Sequence, residues 1–104
     1  MEPPFFAANS TEMTWRPSTF AEGVSVKDLG SANGQSMQLV RFDPGARFPW
    51  HRHPGPEFVY VLEGEVIQRG VRLGQGWAGV SARGTEEDDF TSETGATFLT
   101  VYTD

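Results

Sequence analysis

The chain of 104 residues has no cysteine and only two histidines. Without thiols it can form neither a disulfide framework nor a thiolate metal site, so any ion it binds must be held by nitrogen and oxygen. Lys27 is its single lysine and the net charge is −6. That balance argues against a nucleic-acid surface, which needs a basic stripe to neutralise phosphates, and equally against an anionic membrane. No apolar run approaches the ~20 residues of a membrane-spanning helix. The start, Met1-Glu2-Pro3-Pro4-Phe5-Phe6, lacks the basic residues and apolar centre of a signal peptide. There is no Gly-x-Ser-x-Gly elbow, no phosphate-binding loop and no third histidine for a catalytic triad. Repeats, low-complexity tracts and sustained helical periodicity are also missing. The expectation is a soluble cytoplasmic protein of bacterial type, with no nucleic-acid or membrane partner.

What the chain does have is turn chemistry. Twelve glycines and seven prolines among short apolar segments favour many strands over helices, so an all-β domain is the expectation. Residues 1–13 read as an N-terminal arm and residues 14–104 as one folded domain. In the arm, Phe5 and Phe6 are two aromatics that either dock on the barrel or a second subunit, or lie in solvent. Strands are predicted over residues 24–29, 36–42, 58–62, 66–69, 71–73, 77–80 and 97–102, with turns at 30–34 and 43–45. Residues 85–90 form an acidic extended segment. Alternation puts Val59 and Val61 on the side of Glu57, with Phe58, Tyr60 and Leu62 opposite. Met37, Leu39 and Arg41 likewise share a face. These residues, with Trp50 and Trp77, are read as core or subunit interface rather than substrate contacts, Arg41 needing a carboxylate partner if it points inward.

The chemistry is concentrated between Gly45 and Gly64. His51 and His53 are one residue apart, so on an extended strand both imidazoles point to the same side and form a chelating pair. Glu57 follows across Pro54-Gly55-Pro56, a segment that forbids regular structure and favours a reversal bringing the carboxylate back toward the imidazoles. The competing reading is an exposed His-Arg-His loop with Glu57 at a solvated strand end.

At these residues the chain resembles the cupins, small β-barrels that hold one metal ion. Gly45, His51, His53, Glu57 and Gly64 match the first cupin motif, Gly-x5-His-x-His-x3-Glu-x6-Gly, throughout. From Trp15 onward, with Gly23-Val24-Ser25-Val26-Lys27-Asp28-Leu29-Gly30 and the stretch from Val40 to Pro49, it is similar to the subgroup of ChrR-type anti-sigma-factor cupin domains. That subgroup also contains stand-alone relatives, some of them dioxygenases acting on small ketones. The resemblance implies a double-stranded β-helix, a small jelly-roll barrel, forming a homodimer and holding one divalent ion, Fe, Zn, Mn or Ni, on His51, His53 and Glu57.

The second cupin motif, Gly-x5-Pro-x-Gly-x2-His-x3-Asn, aligns with Gly76 and Gly84 but departs at Ala82, Glu87 and Thr91. Glu87 stands where the motif has its histidine. Either it is a fourth ligand, completing a sphere of two histidines and two carboxylates, or it points to water within Glu86-Glu87-Asp88-Asp89 and the ion keeps three ligands. Two histidines and one carboxylate would still make the facial arrangement of non-haem iron oxygenases. The expected function is a mononuclear metal-dependent enzyme on a small organic substrate, with dioxygenase-like cleavage of a ketone or diketone. The alternatives are a non-enzymatic metal or ligand sensor of ChrR type, which would act through another protein, and a degenerate barrel without catalysis.

Overall fold

The computed structural model describes residues 4–104. A 3-10 turn at Ser10–Glu12 precedes ten strands: β1 (Arg16–Pro17), β2 (Val24–Ala32), β3 (Gln35–Phe42), β4 (His51–Arg52), β5 (Glu57–Gly64), β6 (Val66–Gln68), β7 (Val71–Leu73), β8 (Ala78–Ser81), β9 (Glu86–Glu87) and β10 (Ala96–Thr103). One sheet has the order β1-β2-β3-β10-β5-β8, while β4 pairs with β9 and β6 with β7. Every pairing is antiparallel. Thr91 bridges both Arg47 and Ile67, which ties the short pairs into a second layer. The all-β jelly-roll expectation therefore holds. Among the described residues no helix is long and apolar enough to cross a membrane.

Period-two burial builds the core between the layers. Val24 and Val26 of β2, Val40 and Phe42 of β3, Val59 and Val61 of β5, and Ala96 and Phe98 of β10 all point inward. Phe90 of the second layer meets them, and the rings of Phe42, Phe90 and Phe98 stand 5.5, 5.4 and 5.2 Å apart, mostly edge to face. Each such ring removes on the order of 150–250 Å² from water, so three of them fasten the two layers together.

The strand bounds differ from the sequence reading by one or two residues at β3, β5, β6, β8 and β10, and by more at the first hairpin, for a clear reason. The turn expected over 30–34 is confined to Asn33 and Gly34, at φ 54° and 78°, the paired positive angles of a tight hairpin, and β2 runs on through a bulge between Asp28 and Gly30. Trp50 and Trp77 are exposed rather than core. Arg41 points outward and lies 4.6 Å from the Trp15 ring, so it needs no buried carboxylate. The arm expected over residues 1–13 is described from Pro4, its first three residues lying outside the described ones. Phe5 and Phe6 are 80% and 66% exposed.

Gly64 shows why a motif glycine is needed. It has φ 76°, and a Cβ there would sit 2.2 Å from the Gly95 carbonyl oxygen, on backbone that cannot yield. Gly34 has the same sign of φ but open space around it. Gly64→Ala is therefore expected to cost about 3 kcal/mol or more and Gly34→Ala about 1 kcal/mol, measured by urea unfolding. Equal costs would show that the carbonyl contact is relieved at no expense.

Candidate metal centre

The second layer sets the site. In the β4–β9 pair His51 stands directly opposite Glu87, and the ladder continues as the His53 amide donates to the Thr85 carbonyl at 3.0 Å. Residues facing one another across an antiparallel pair share a face, so His51 and His53 meet Glu87 and Thr85 on one side. The turn through Pro54-Gly55-Pro56 then returns the chain into β5, whose first residue, Glu57, points into the barrel from the larger sheet. Ligand atoms of His51, His53, Glu57 and Glu87 all lie within 4.8 Å of one another. Four donors held ~2.0–2.2 Å from a common ion would be at most about 4.4 Å apart, so the arrangement is within a few tenths of an ångström of a coordination sphere.

Hydrogen bonds fix the imidazoles in the tautomer a ligand needs. Nδ1 of His51 lies 3.0 Å from the Pro49 carbonyl, which can only accept, so that nitrogen carries the proton. The Thr85 hydroxyl gives its one proton to the Ala82 carbonyl at 2.6 Å, so it accepts from Nδ1 of His53 at 2.9 Å. In its neutral form each ring therefore turns the Nε2 lone pair to the site, the arrangement that outer partners impose on metal-bound histidines. Phe20 and Phe48 stand edge to face on His51 at 5.4 and 5.9 Å and hold its plane.

The electrostatics are those of an incomplete site. Nε2 of His53 is 3.1 Å from Oε2 of Glu87 but out of line, and that nitrogen and both Glu87 oxygens are buried with no hydrogen-bond partner among the described residues. Glu87 is 2% exposed, so the reading in which it points to water within the acidic run is wrong: its neighbours Glu86 and Asp88 take the solvent side. Burial, assisted by the Glu87 charge, pushes the Glu57 carboxyl up to about 7. Burial likewise lowers the His53 imidazole, outweighing the attraction of Glu87 for the protonated ring. Two imidazole nitrogens and two carboxylates converging on one point, with His53 Nε2 and both Glu87 oxygens unpartnered among the described residues, fit a hard or borderline dication.

A cavity of about 440 Å³ opens beside the cluster. His51, His53 and Glu57 form one wall and Phe20, Phe48, Val26 and Val40 an apolar one. Gln38 and Thr100 add polar groups, Gln38 donating to Asp28, whose carboxyl it and Arg16 hold below its ordinary range. Sequence reasoning missed Thr85, although its spacing of two residues from Glu87 places it on the same face. It also missed Phe20, which no motif marks.

This fold and barrel-interior cluster define a cupin. The chain belongs to the ChrR cupin-like domain family, whose model matches residues 5–103. Among solved structures it is similar to a candidate acetylacetone dioxygenase from Methylibium petroleiphilum PM1, with TM-score 0.90 and 17% identity over 99% of this chain and 79% of that one. The acetylacetone dioxygenase from Acinetobacter johnsonii gives TM-score 0.79 and 16% identity over 99% and 75%. The anti-sigma factor ChrR, in complex with SigE of Rhodobacter sphaeroides, gives TM-score 0.73 and 23% identity over 92% of this chain and 51% of that chain. At these identities the likeness carries the fold. No curated protein matches the sequence.

The raised Glu57 carboxyl has a consequence for the metal-free protein. Below its unfolded pKa of about 4.5 the group is protonated folded or unfolded; above about 7 it must ionise inside the barrel. Stability from this group is therefore lost as pH rises through that window, by up to about 3 kcal/mol. In chelator-treated protein, Glu57→Gln should gain on the wild type by that order between pH 4.5 and 8 in denaturant unfolding. A difference that does not change with pH would overturn this.

Proposed function

We propose that this protein is a cytoplasmic mononuclear metal-dependent enzyme that acts on a small organic carbonyl compound, with residues 14–104 as the working barrel. His51, His53, Glu57 and Glu87 would hold the ion. The observation that carries the reading is the convergence of four donor side chains beside a cavity of substrate size, with His53 Nε2 and both Glu87 oxygens buried and unpartnered among the described residues. When bound, a divalent ion would supply Lewis-acid polarisation of a carbonyl oxygen and, as iron, a means of using dioxygen in cleavage of a ketone or diketone. The chain's own residues do the rest. Glu57 gives up its proton to become a ligand, the Pro49 and Thr85 contacts keep both imidazoles ready, and Phe20, Phe48, Val26 and Val40 exclude water from the apolar part of the substrate.

A second reading, ligand or metal sensing without turnover, is favoured by the family match itself, since ChrR is an anti-sigma factor. The two are separated by elemental mass spectrometry and oxygen uptake on untagged protein. Near one metal per chain is expected, falling at least about tenfold in His51→Ala and Glu87→Ala. Oxygen consumption with a panel of small ketones would support the enzyme. Metal without turnover on any of them would favour the sensor, and no metal after reconstitution would reject the enzyme and the metal sensor alike, leaving ligand binding.

We further propose that the protein works as a homodimer through the outer face of the six-stranded sheet. Met37, Phe58, Tyr60, Leu62 and Val80 are exposed on that face, and Phe6 lies against its edge at Gly30. Together with Phe5 these side chains present roughly 800 Å², the share each partner contributes to a standard interface. Sedimentation should give twice the 11.5 kDa chain mass, and Tyr60→Glu should return the monomer. A monomeric wild type at micromolar concentration would sink the dimer.

A further inference from the structure

The charge of the site restricts what it can bind. Of the two carboxylates among the four donors, Glu87 is almost completely buried and Glu57 has 13% of its side chain exposed, and the Nδ1 contacts to Pro49 and Thr85 turn the Nε2 atoms of both imidazoles to the site, where a bound ion takes them as neutral ligands. Two ionised carboxylates cancel the charge of one dication. A site of this composition, once loaded, is electrically neutral at its centre. Had a third histidine stood at position 87, the same site would carry a net positive charge.

The cavity does not restore that charge. Arg16 and Arg52 are the basic residues that line it, and each is matched to a carboxylate. The Arg16 guanidinium lies 2.7 Å from Asp28, which is itself fixed by the Gln38 amide, and Arg52 lies 3.5 Å from Glu86. Both arginine side chains are at least half exposed, so their residual field is screened by water. The remaining wall is aromatic, aliphatic, amide and hydroxyl. An anionic ligand bound here would add a net charge to a centre that two carboxylates already neutralise, with no unmatched cation in the cavity wall to meet it. A neutral oxygen donor would bring none.

We propose that the site selects an uncharged oxygen-donor ligand, a small ketone or hydroxyketone bound as the neutral molecule, and discriminates against carboxylates and enolates, with Glu87 as the residue that sets this preference. The proposal rests on the metal reading above. It narrows that reading to carbonyl substrates that reach the ion without ionising, and it makes the glutamate at position 87 a specificity determinant as well as a ligand.

The test uses the full chain loaded with cobalt(II), whose visible bands report ligands at the ion, titrated with lactamide and lactate. These probes have nearly the same shape and donor atoms and differ by one charge. In the wild type lactamide should shift the bands at concentrations at least about tenfold below those lactate requires. In Glu87→Gln, which keeps an oxygen donor but removes one negative charge, lactate should tighten at least about tenfold while lactamide stays within about threefold. The wild-type comparison decides the matter even where the variant holds cobalt poorly. Lactate binding as tightly as lactamide, or no response to lactamide, overturns the preference while bound cobalt leaves the metal reading standing. Cobalt lost from the wild type on dialysis overturns both.

Discussion

Two carboxylates buried beside two neutral imidazoles are the constraint on which this molecule turns. Removing an ion from water into a protein interior costs several kcal/mol even after relaxation, and a domain of this size has only about 5–15 kcal/mol of net stability. Glu87 is nevertheless 2% exposed with neither oxygen hydrogen-bonded to any of the described residues. Such an arrangement is reasonable when the missing partner is a cation, and the surrounding structure is built as though for one. The Pro49 carbonyl and the Thr85 hydroxyl accept from the far nitrogens of the two rings, which turns the near nitrogens toward the site and makes them the lone pairs of the neutral rings.

The rigidity needed to hold that charge comes from the core. Phe48 packs on Phe42 and Phe90 at 4.8 and 5.3 Å and reaches His51 at 5.9 Å, so an aromatic chain runs from the centre of the barrel to the site. Each link removes freedom from the next, and the imidazole plane is set by residues that also join the layers. The motif glycine at position 64 belongs to the same economy: it lets β5 turn against the Gly95 carbonyl, and β5 is the strand that delivers Glu57.

The same barrel presents two unlike surfaces. Inside, β3, β5 and β10 supply valines and phenylalanines at the closed end and Gln38, Thr100 and Glu57 toward the cavity. Outside, alternate residues of those strands are Met37, Phe58 and Tyr60, which leaves an apolar sheet face exposed. A strand apolar on both faces is what a sheet covered on both sides requires, and the inner and outer faces make separate demands on one short sequence.

Much of this was legible before any coordinates. Composition made an all-β domain the expectation, because turn residues are abundant, and limited the donors for any bound ion to nitrogen and oxygen, because thiols are absent. The spacing of His51, His53 and Glu57 pointed to a chelating face, because side-chain direction in a strand has a period of two and a Pro-Gly-Pro reversal is local, while an exposed His-Arg-His loop stayed open until the β4–β9 pairing was known. Local chemistry could not decide Glu87, which sits in a run of four acidic residues where any one of them could face water. Its inward direction follows from the β4–β9 register, a pairing between segments 36 residues apart in which a slip of one would have turned Glu86 or Asp88 to the imidazoles instead. Thr85, Phe20 and the exposure of Trp50 and Trp77 were decided in the same way, by which segments meet across the barrel, a relation that no single stretch of sequence contains.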